Sequence, residues 1–450
     1  MSEDLTDAAR RVLAGGSAAQ VFVEQSIAAA QQPAAAHAFV STSFTVARAA
    51  AALADRLVAS RADSGPLAGL AVSIKDLFDV AGEVSASGSR ILASAAPAAE
   101  DAPAVQRLRR AGAGLIARTN MSEFAFSGVG INPHHGTPAN PATLRLDPAP
   151  RIPGGSTSGG AVSVALGAAW AALGSDTNGS IRIPAALQGL VGFKSTARLV
   201  PLQGAVPLST TLDTVSAITR SVRDAILLHE VLAARKVAVE HRPLTEWRLA
   251  VPSTLMLDDL DRTVAAAFDR TVAALSRAGA RIDRIELPLL GEVAAITAQG
   301  GFAPVEAWAF HRRWLAERES EYDPRVARRI RRGEAMSAAD YIDLIAARRS
   351  WIGRMEVALN GFDALLSPTV PVVAPEIAPL LSSDEKFFAA NGLLLRNPSA
   401  VNLLDGCALS LPCHGADELP VGLMVWNTAL RDDTVLSASL AIDSALRHRP

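Results

Sequence analysis

The middle of the chain alternates between short apolar runs and longer stretches in which apolar residues recur at helical spacing. The runs "LAGLAVSIK" at 67–75 and "AGLIARTN" at 113–120 predict buried strands, and the patterns around them predict helices. Strands that alternate with helices are typical of an α/β protein. Residues 1–65 are alanine-rich and helical in period, with a candidate break at 41–43, and predict helices packed over a core formed by 66–220.

The second half of the chain changes texture twice. Residues 240–360 are helical in period, and 311–354 hold 11 Arg against 7 Asp and Glu. That surplus of four is small and is spread over several helical turns, which favours a solvated helix face over a nucleic-acid site. Residues 361–450 return to the core pattern, where "FDALLSPTVP" at 362–371 and "LPVGLMVW" at 419–426 predict strands that rejoin the sheet.

Composition narrows the partner class. With 450 residues, 49% hydrophobic content and a formal net charge of -2, the chain can bury a large core and has no broad attraction for nucleic acid or an anionic membrane. The N-terminus is acidic and amphipathic, unlike a secretory signal, and the longest apolar stretch is too short to span a bilayer, so we expect a cytoplasmic protein. Cys407 and Cys413 match no common zinc pattern and predict buried, reduced thiols.

Ser180 lies in the tight turn of "GSDTNGSIRIPAALQG", residues 174–189, which raises the question of a base. The histidines are distant in sequence and no G-x-S-x-G elbow surrounds Ser180, which disfavours the usual Ser-His context. Lysine is scarce here, and Lys75 ends a buried strand, where desolvation lowers a lysine pKa. This stretch alone leaves a second interpretation open, in which the Lys75 side chain extends from the end of the strand into water.

A second serine-bearing stretch is "RIPGGSTSGGAVSVALG" at 151–167. Its glycines and hydroxyl side chains predict a loop that leads into a helix over 161–173, with Thr157 or Ser158 as the N-cap. A phosphate cradle is the competing interpretation, but G-x-x-x-x-G-K-[ST] is not matched here.

These pieces, in this order, resemble the amidase signature family of serine hydrolases. The resemblance covers "GPLAGLAVSIKDLFDVAG", "ARTNMSEFAFSG", the long run from "PGGSTSGG" to "GLVGFKST", "LSTTLDTVSAITRSV" and "FDALLSPTVP". It implies a single α/β/α unit over 1–450, with a mixed twisted sheet covered by helices on both faces and the 240–360 helices over the site.

The resemblance also implies a role for each matched position. Ser180 corresponds to the nucleophile, Ser156 to the bridging serine after a cis peptide bond from Gly155, and Lys75 to the base. The further assignments are an oxyanion hole of backbone N–H groups, an acyl-side pocket, and residues that support the loop. The oxyanion-hole N–H groups are those of Thr177, Asn178, Gly179 and Ser180. The acyl-side pocket consists of Ala125, Phe126, Ser127 and Gly128. The residues that support the loop are Ser158, Asp176 and Arg182. Asn178 stands where the family more commonly has glycine, and asparagine tolerates a positive φ.

The resemblance implies hydrolysis of small amides without metal or cofactor. The uncharged 125–128 stretch favours neutral anilides and alkyl amides, with carbamates and esters also accepted, whereas an Arg or His from 300–350 that entered the pocket would favour an acid amide. The alternatives are a non-catalytic binding protein and an amidase that works only with partner subunits, and a homodimer is compatible with either kind of enzyme. We expect a small-molecule substrate and no nucleic-acid or membrane partner.

Overall fold

In the computed structural model, which describes residues 3–447, strands that are scattered along the sequence form one mixed sheet. Residues 1–2 and 448–450 of the predicted unit lie outside the described range. The eleven strands within that range are β1 Phe39–Thr42, β2 Ala71–Lys75, β3 Gly114–Thr119, β4 Ala171–Asp176, β5 Val191–Lys194, β6 Thr214–Thr219, β7 Arg248–Pro252, β8 Arg281–Ile285, β9 Ala364–Pro368, β10 Cys407–Pro412 and β11 Gly422–Asn427. Their order across the sheet is β1-β3-β2-β4-β6-β5-β10-β11-β9-β7-β8.

The sheet combines two parallel groups with an antiparallel centre and one antiparallel edge strand, β1. Strand β2 pairs in parallel with β3 and β4 on one side, and β7 pairs in parallel with β8 and β9 on the other. The strands between these groups pair antiparallel, as β4 does with β6 and β10 does with β11. The mixed sheet predicted from the family resemblance is therefore confirmed.

Helices lie between most of the strands, and several begin at a capping side chain. The helices of the described chain are α1 Leu5–Leu13, α2 Ala19–Ala30, α3 Phe44–Ala59, α4 Pro103–Arg110, α5 Ser158–Ala165, α6 Arg182–Leu187, α7 Val222–Ala233, α8 Arg262–Arg277, α9 Val293–Ile296, α10 Phe302–Arg318, α11 Pro324–Arg331, α12 Ala338–Ala358, α13 Ile377–Ser382, α14 Asp384–Leu403 and α15 Asp432–Arg447. Helix α12 begins with a capping box in which Ser337 and Asp340 satisfy each other's backbone N–H groups. Between residues 3 and 447, no helix is long and apolar enough to cross a membrane.

Alternation along β2 shows how both faces of the sheet are covered. Val72 and Ile74 join the apolar cluster formed with the N-terminal helices. Ser73 faces the opposite way, where its hydroxyl lies 2.9 Å from that of Ser163 in α5. Because successive strand residues point to opposite faces, Lys75 lies on the same face as Ser73, and this is the face that carries α5.

Two sequence predictions of secondary structure need correction. The helix expected over 161–173 ends at Ala165, and the following apolar residues form strand β4. The chain turns at Gly167, whose φ is +81°. A central strand that is buried on both faces is apolar throughout, as a buried helix is, so the pattern does not distinguish the two. The region 240–360 is not entirely helical, because it contributes β7 and β8 to the sheet.

Candidate active site

Lys75 ends β2 with its side chain fully buried. Its Nζ lies 2.7 Å from Ser156 Oγ and 2.8 Å from Ser175 Oγ, and the carbonyl of Ser175 is 3.5 Å away. All of these partners are neutral. The strand end therefore holds an amine between two hydroxyls without a carboxylate in direct contact among the described residues.

This setting changes the protonation of the amine. Burial lowers the pKa of Lys75 from 10.5 to about 7, against the opposing charges of Asp176 and Asp213. Asp76, its neighbour in sequence, instead pairs with Arg118 at 2.8 Å. A large fraction of Lys75 is consequently neutral at physiological pH, which is the form able to accept a proton.

The loop that carries Ser156 is fixed by backbone contacts. The peptide bond between Gly155 and Ser156 is cis. Gly155 N–H donates to the carbonyl of Gly128 at 2.8 Å, and the Ser156 carbonyl accepts from Ser122 N–H at 3.1 Å. Thr157 N–H donates to the Ser180 carbonyl at 3.2 Å, which joins the loop to the turn that contains Ser180.

The two candidate caps of α5 differ from expectation. Thr157 occupies the N-cap position but makes no side-chain capping hydrogen bond. Ser158 is the first helical residue, and its hydroxyl donates to the carbonyl of Asn120 at 3.3 Å. Ser158 therefore ties the loop to the segment that follows β3 rather than to Ser156.

A buried ion pair lies beneath the Ser180 turn. Arg182 donates to Asp176 through Nη2 at 2.9 Å and through Nε at 3.0 Å, and both side chains are fully buried. Burial raises the pKa of Asp176, but the charge and hydrogen bonds of Arg182 outweigh burial and the net pKa is lowered. The carboxylate also accepts the N–H groups of Gly179 at 2.8 Å and Ile181 at 3.2 Å.

These contacts refine the predicted oxyanion hole. The N–H of Gly179 is directed at Asp176, so Thr177, Asn178 and Ser180 remain as candidate donors. The positive φ of the turn, +114°, falls on Gly179, while Asn178 has no positive φ to tolerate. A Cβ on Gly179 would lie 2.6 Å from Cβ of Pro398, so the turn also requires glycine for space.

The predicted acyl-side stretch contributes one residue to the nearby cavity. Phe126 and Asn178 both line a cavity of about 190 Å³. Ala125, Ser127 and Gly128 are buried and are absent from its lining. The Gly128 N–H donates to Asn391 Oδ1 at 2.9 Å, which ties this stretch to α14.

The same cavity contains charge that the 125–128 stretch does not predict. Arg329 of α11 and Arg332 just beyond it line the wall, together with residues from the segments before α10 and from the C-terminal end of α14. The prediction of an uncharged pocket rests on the 125–128 stretch alone, and the 240–360 region adds two guanidinium groups to the wall of this neighbouring cavity.

The amidase family model matches residues 21–436 of the chain. The chain belongs to the amidase family. Among its relatives, 2-amino-5-chloromuconic acid deaminase of Comamonas testosteroni is 36% identical over 408 residues, covering 89% of this chain and 86% of the relative. A glutamyl-tRNA(Gln) amidotransferase subunit of Symbiobacterium thermophilum is 31% identical over 429 residues, covering 87% and 86%. A solved amidase structure superimposes with a TM-score of 0.87 at 34% identity, covering 98% of this chain and 99% of the other.

Sequence reasoning missed two partners in this amidase. Ser175 contacts the Lys75 amine. The apolar pattern predicts a helix that runs into β4, so it does not predict that β4 lies beside β2. Asp213 accepts the Thr177 hydroxyl at 2.5 Å and the N–H groups of two further residues, Leu208 and Ser209. Burial raises the pKa of Asp213 to about 6. Its place in "LSTTLDTVSAITRSV", one of the family-like stretches, was the available signal.

Proposed function

We propose that this amidase hydrolyses the C–N bond of small amides through an acyl-enzyme on Ser180. The contact between Lys75 Nζ and Ser156 Oγ, 2.7 Å in a fully buried setting, carries the proposal. An amine with a pKa of about 7 is a competent general base near neutral pH.

The contact between Lys75 and Ser156 supports the first step of the proton path, and the resemblance to the family supplies the step from Ser180. Neutral Lys75 accepts the proton of Ser156, and Ser156 accepts that of Ser180 as Ser180 Oγ attacks the amide carbonyl carbon. Ser175 Oγ, 2.8 Å from the amine, accepts one of its N–H groups and so leaves the nitrogen lone pair for Ser156. The hydrogen bond from Thr157 N–H to the Ser180 carbonyl joins the two loops, which holds the serines in adjacent turns.

The remaining steps restore the enzyme. The C–N bond breaks as the relay returns a proton to the departing amine, leaving the acyl group as an ester of Ser180. Water then attacks that ester and releases the carboxylic acid. Negative charge on the tetrahedral oxygen is stabilised by the N–H groups of Thr177, Asn178 and Ser180, and loss of one such donor costs about 3 kcal/mol in the barrier.

Relatives of two kinds support amide chemistry on more than one class of substrate. The Comamonas testosteroni protein is named for deamination of a small organic acid, and the Symbiobacterium thermophilum protein is named as part of an amidotransferase. We favour hydrolysis by this chain without a partner, on anilides and alkyl amides first. Carbamates and esters form the same kind of tetrahedral intermediate and belong in the same substrate panel.

Ser180→Ala tests the proposal against a matched serine. The variant is expected to lose essentially all hydrolysis of 4-nitroacetanilide and acetamide, while its thermal unfolding midpoint stays near that of the parent. Ser64→Ala is the control, because Ser64 is buried and its hydroxyl has no hydrogen-bond partner among residues 3–447. A fluorophosphonate reagent should label Ser180, located by peptide mass. Hydrolysis retained by Ser180→Ala would show that the nucleophile is wrong.

A further inference from the structure

Asp213 is a buried carboxylate beside the Ser180 turn that the proposed proton path does not use. It immediately precedes strand β6. Its Oδ1 accepts the hydroxyl of Thr177 at 2.5 Å, while its Oδ2 accepts the N–H groups of Leu208 at 3.0 Å and Ser209 at 3.1 Å. The carboxylate therefore connects the loop that leads into β6 to the first residue of the turn.

The bond to Asp213 fixes the side chain of Thr177. An ionised carboxylate only accepts hydrogen bonds, so the Thr177 hydroxyl must direct its hydrogen at Asp213. Because the branched Cβ restricts χ1 of threonine, a fixed hydroxyl also limits rotation of the backbone that carries it. At the far side of the turn, Asp176 accepts the N–H of Gly179 at 2.8 Å. The turn is thus held from both sides by carboxylates.

The loop that carries Asp213 is itself anchored to helix α10. Glu306 of that helix accepts the hydroxyl of Ser209 at 2.5 Å and the N–H of Thr211 at 3.1 Å. The same helix contributes Phe302 to the cavity that Asn178 lines. Asp213 therefore holds the turn against a loop whose other end is fixed to the wall of this cavity.

A second buried carboxylate has the same set of donors in another part of the fold. Asp224 accepts the N–H groups of Leu5 at 3.1 Å and Thr6 at 2.9 Å, and the Thr6 hydroxyl at 2.7 Å. Burial raises its pKa to about 6, as it does that of Asp213. Asp224 joins α1 to α7, two helices that carry none of the proposed site residues. The two carboxylates therefore differ in what they hold, which makes Asp224 a matched control.

We propose that Asp213 is a positioning residue of this amidase, which holds Thr177 so that the N–H groups of the turn face the oxygen of the tetrahedral intermediate. The inference rests on the proposed function, because these donors act only if Ser180 forms that intermediate. Donors placed in advance stabilise the developing charge without reorganising, and a displacement of about 1 Å can cost on the order of 100-fold in rate. Such positioning acts on the transition state rather than on the bound amide.

Three variants separate the hydrogen bond from the rest of the two side chains. Thr177→Val keeps the shape of threonine and removes the hydroxyl, Thr177→Ser keeps the hydroxyl, and Asp213→Asn keeps the shape and removes the charge. With 4-nitroacetanilide at pH 7.5, we expect Thr177→Val and Asp213→Asn each to lower kcat by at least about 30-fold, with KM changed by less than about threefold. Thr177→Ser should retain at least about ten times the kcat of Thr177→Val.

Two further readouts distinguish positioning from a general loss of structure. In the double variant of Asp213→Asn and Thr177→Val, kcat should fall only about as far as in the more impaired single variant, because the second change removes an interaction already lost. Trifluoroacetone mimics the intermediate, since Ser180 Oγ adds to its carbonyl carbon and the carbonyl oxygen takes the negative charge. Its inhibition constant should rise in each single variant by about the factor by which kcat/KM falls. Asp224→Asn should leave kcat and this constant within about twofold of the parent, although it also removes a buried carboxylate.

The outcomes separate this inference from the proposed function. If Thr177→Val and Asp213→Asn lose no more kcat than Asp224→Asn, or if the loss in kcat/KM comes from KM alone, the positioning role is overturned while hydrolysis at Ser180 stands. Losses that multiply in the double variant overturn it as well. Absence of any hydrolysis that depends on Ser180 in the parent would instead remove the proposed function, and the positioning role with it. If Asp213→Asn does not fold, equal kcat values for Thr177→Val and Thr177→Ser refute the inference.

Discussion

Placing a carboxylate beside the amine of Lys75 should move the pH profile of this amidase. Ser175 Oγ lies 2.8 Å from Nζ, so Ser175→Asp brings a negative charge to about 4 Å from the ammonium. At that separation and an effective dielectric constant of about 20, the attraction is about 4 kcal/mol, which raises the pKa of the amine by about three. Ser175→Asn has nearly the same shape without the charge and is the matched control.

The sign of the effect follows from which form of the lysine is active. In the proposed mechanism the neutral amine is the base, so kcat/KM is expected to rise with pH through the lysine pKa and then level. For the parent enzyme, with a pKa of about 7, the rise should end near neutrality, and the rate at pH 5 should be about 100-fold below the plateau. For Ser175→Asp the rise should continue towards pH 10, which makes the rate at pH 7.5 a few hundred-fold lower.

The assay follows release of 4-nitroaniline from 4-nitroacetanilide between pH 5 and 10.5. Substrate and product do not titrate in this range, so the profile reports the enzyme. Asp213, whose pKa burial raises to about 6, is the other candidate for an acid limb, and Asp213→Asn tests it by removing that titration.

Identical profiles for Ser175→Asp and Ser175→Asn, each with a midpoint near that of the parent, would refute the assignment of Lys75 as the base. A limb that disappears in Asp213→Asn would assign it to Asp213 instead. Thermal unfolding of each variant, measured across the same pH range, confirms that the compared proteins are folded.

Three further predictions follow from the same structure. Lys75→Met should be inactive, and at pH 6 its free energy of unfolding should exceed that of the parent by up to roughly 5 kcal/mol. The lowered pKa of Lys75 destabilises the folded parent, fully below about pH 7 and not at all above pH 10.5. Denaturant unfolding of both proteins at pH 6 and pH 10 checks this. Gly179→Ala should lose more than about tenfold in kcat/KM and roughly 2 kcal/mol in stability, whereas Gly353→Ala, which meets nothing within 4 Å, should lose neither. Limited proteolysis should give no fragment that ends between residues 220 and 250 and refolds alone, which checks the single unit predicted for the chain.

Strand placement illustrates how far the sequence determined the fold. The runs at 67–75 and 113–120 predict buried strands from their pattern alone, and the strands they contain, β2 and β3, pair in parallel in the sheet. The helix expected over 161–173 is wrong in its second half, because a strand buried on both faces and a buried helix are both apolar throughout and only tertiary contacts distinguish them. The strands at 248–252 and 281–285 escape the pattern for a similar reason, since they lie between long helices whose periodicity dominates the region.

The same distinction between sequence pattern and tertiary contact applies to the candidate site. The sequence by itself determined the types and order of Lys75, Ser156 and Ser180, the residues proposed to bear the chemistry, because their assignment follows from stretches that resemble the family and whose glycines and hydroxyl residues predict a loop and a tight turn. The tertiary structure alone decided what surrounds them. It placed Ser175 against the amine, directed the Gly179 N–H at Asp176, and brought Arg329 from a distant helix to the cavity beside the turn. Such contacts depend on how helices pack across a sheet, which periodicity does not encode, and burial created by that packing is what lowers the pKa of Lys75.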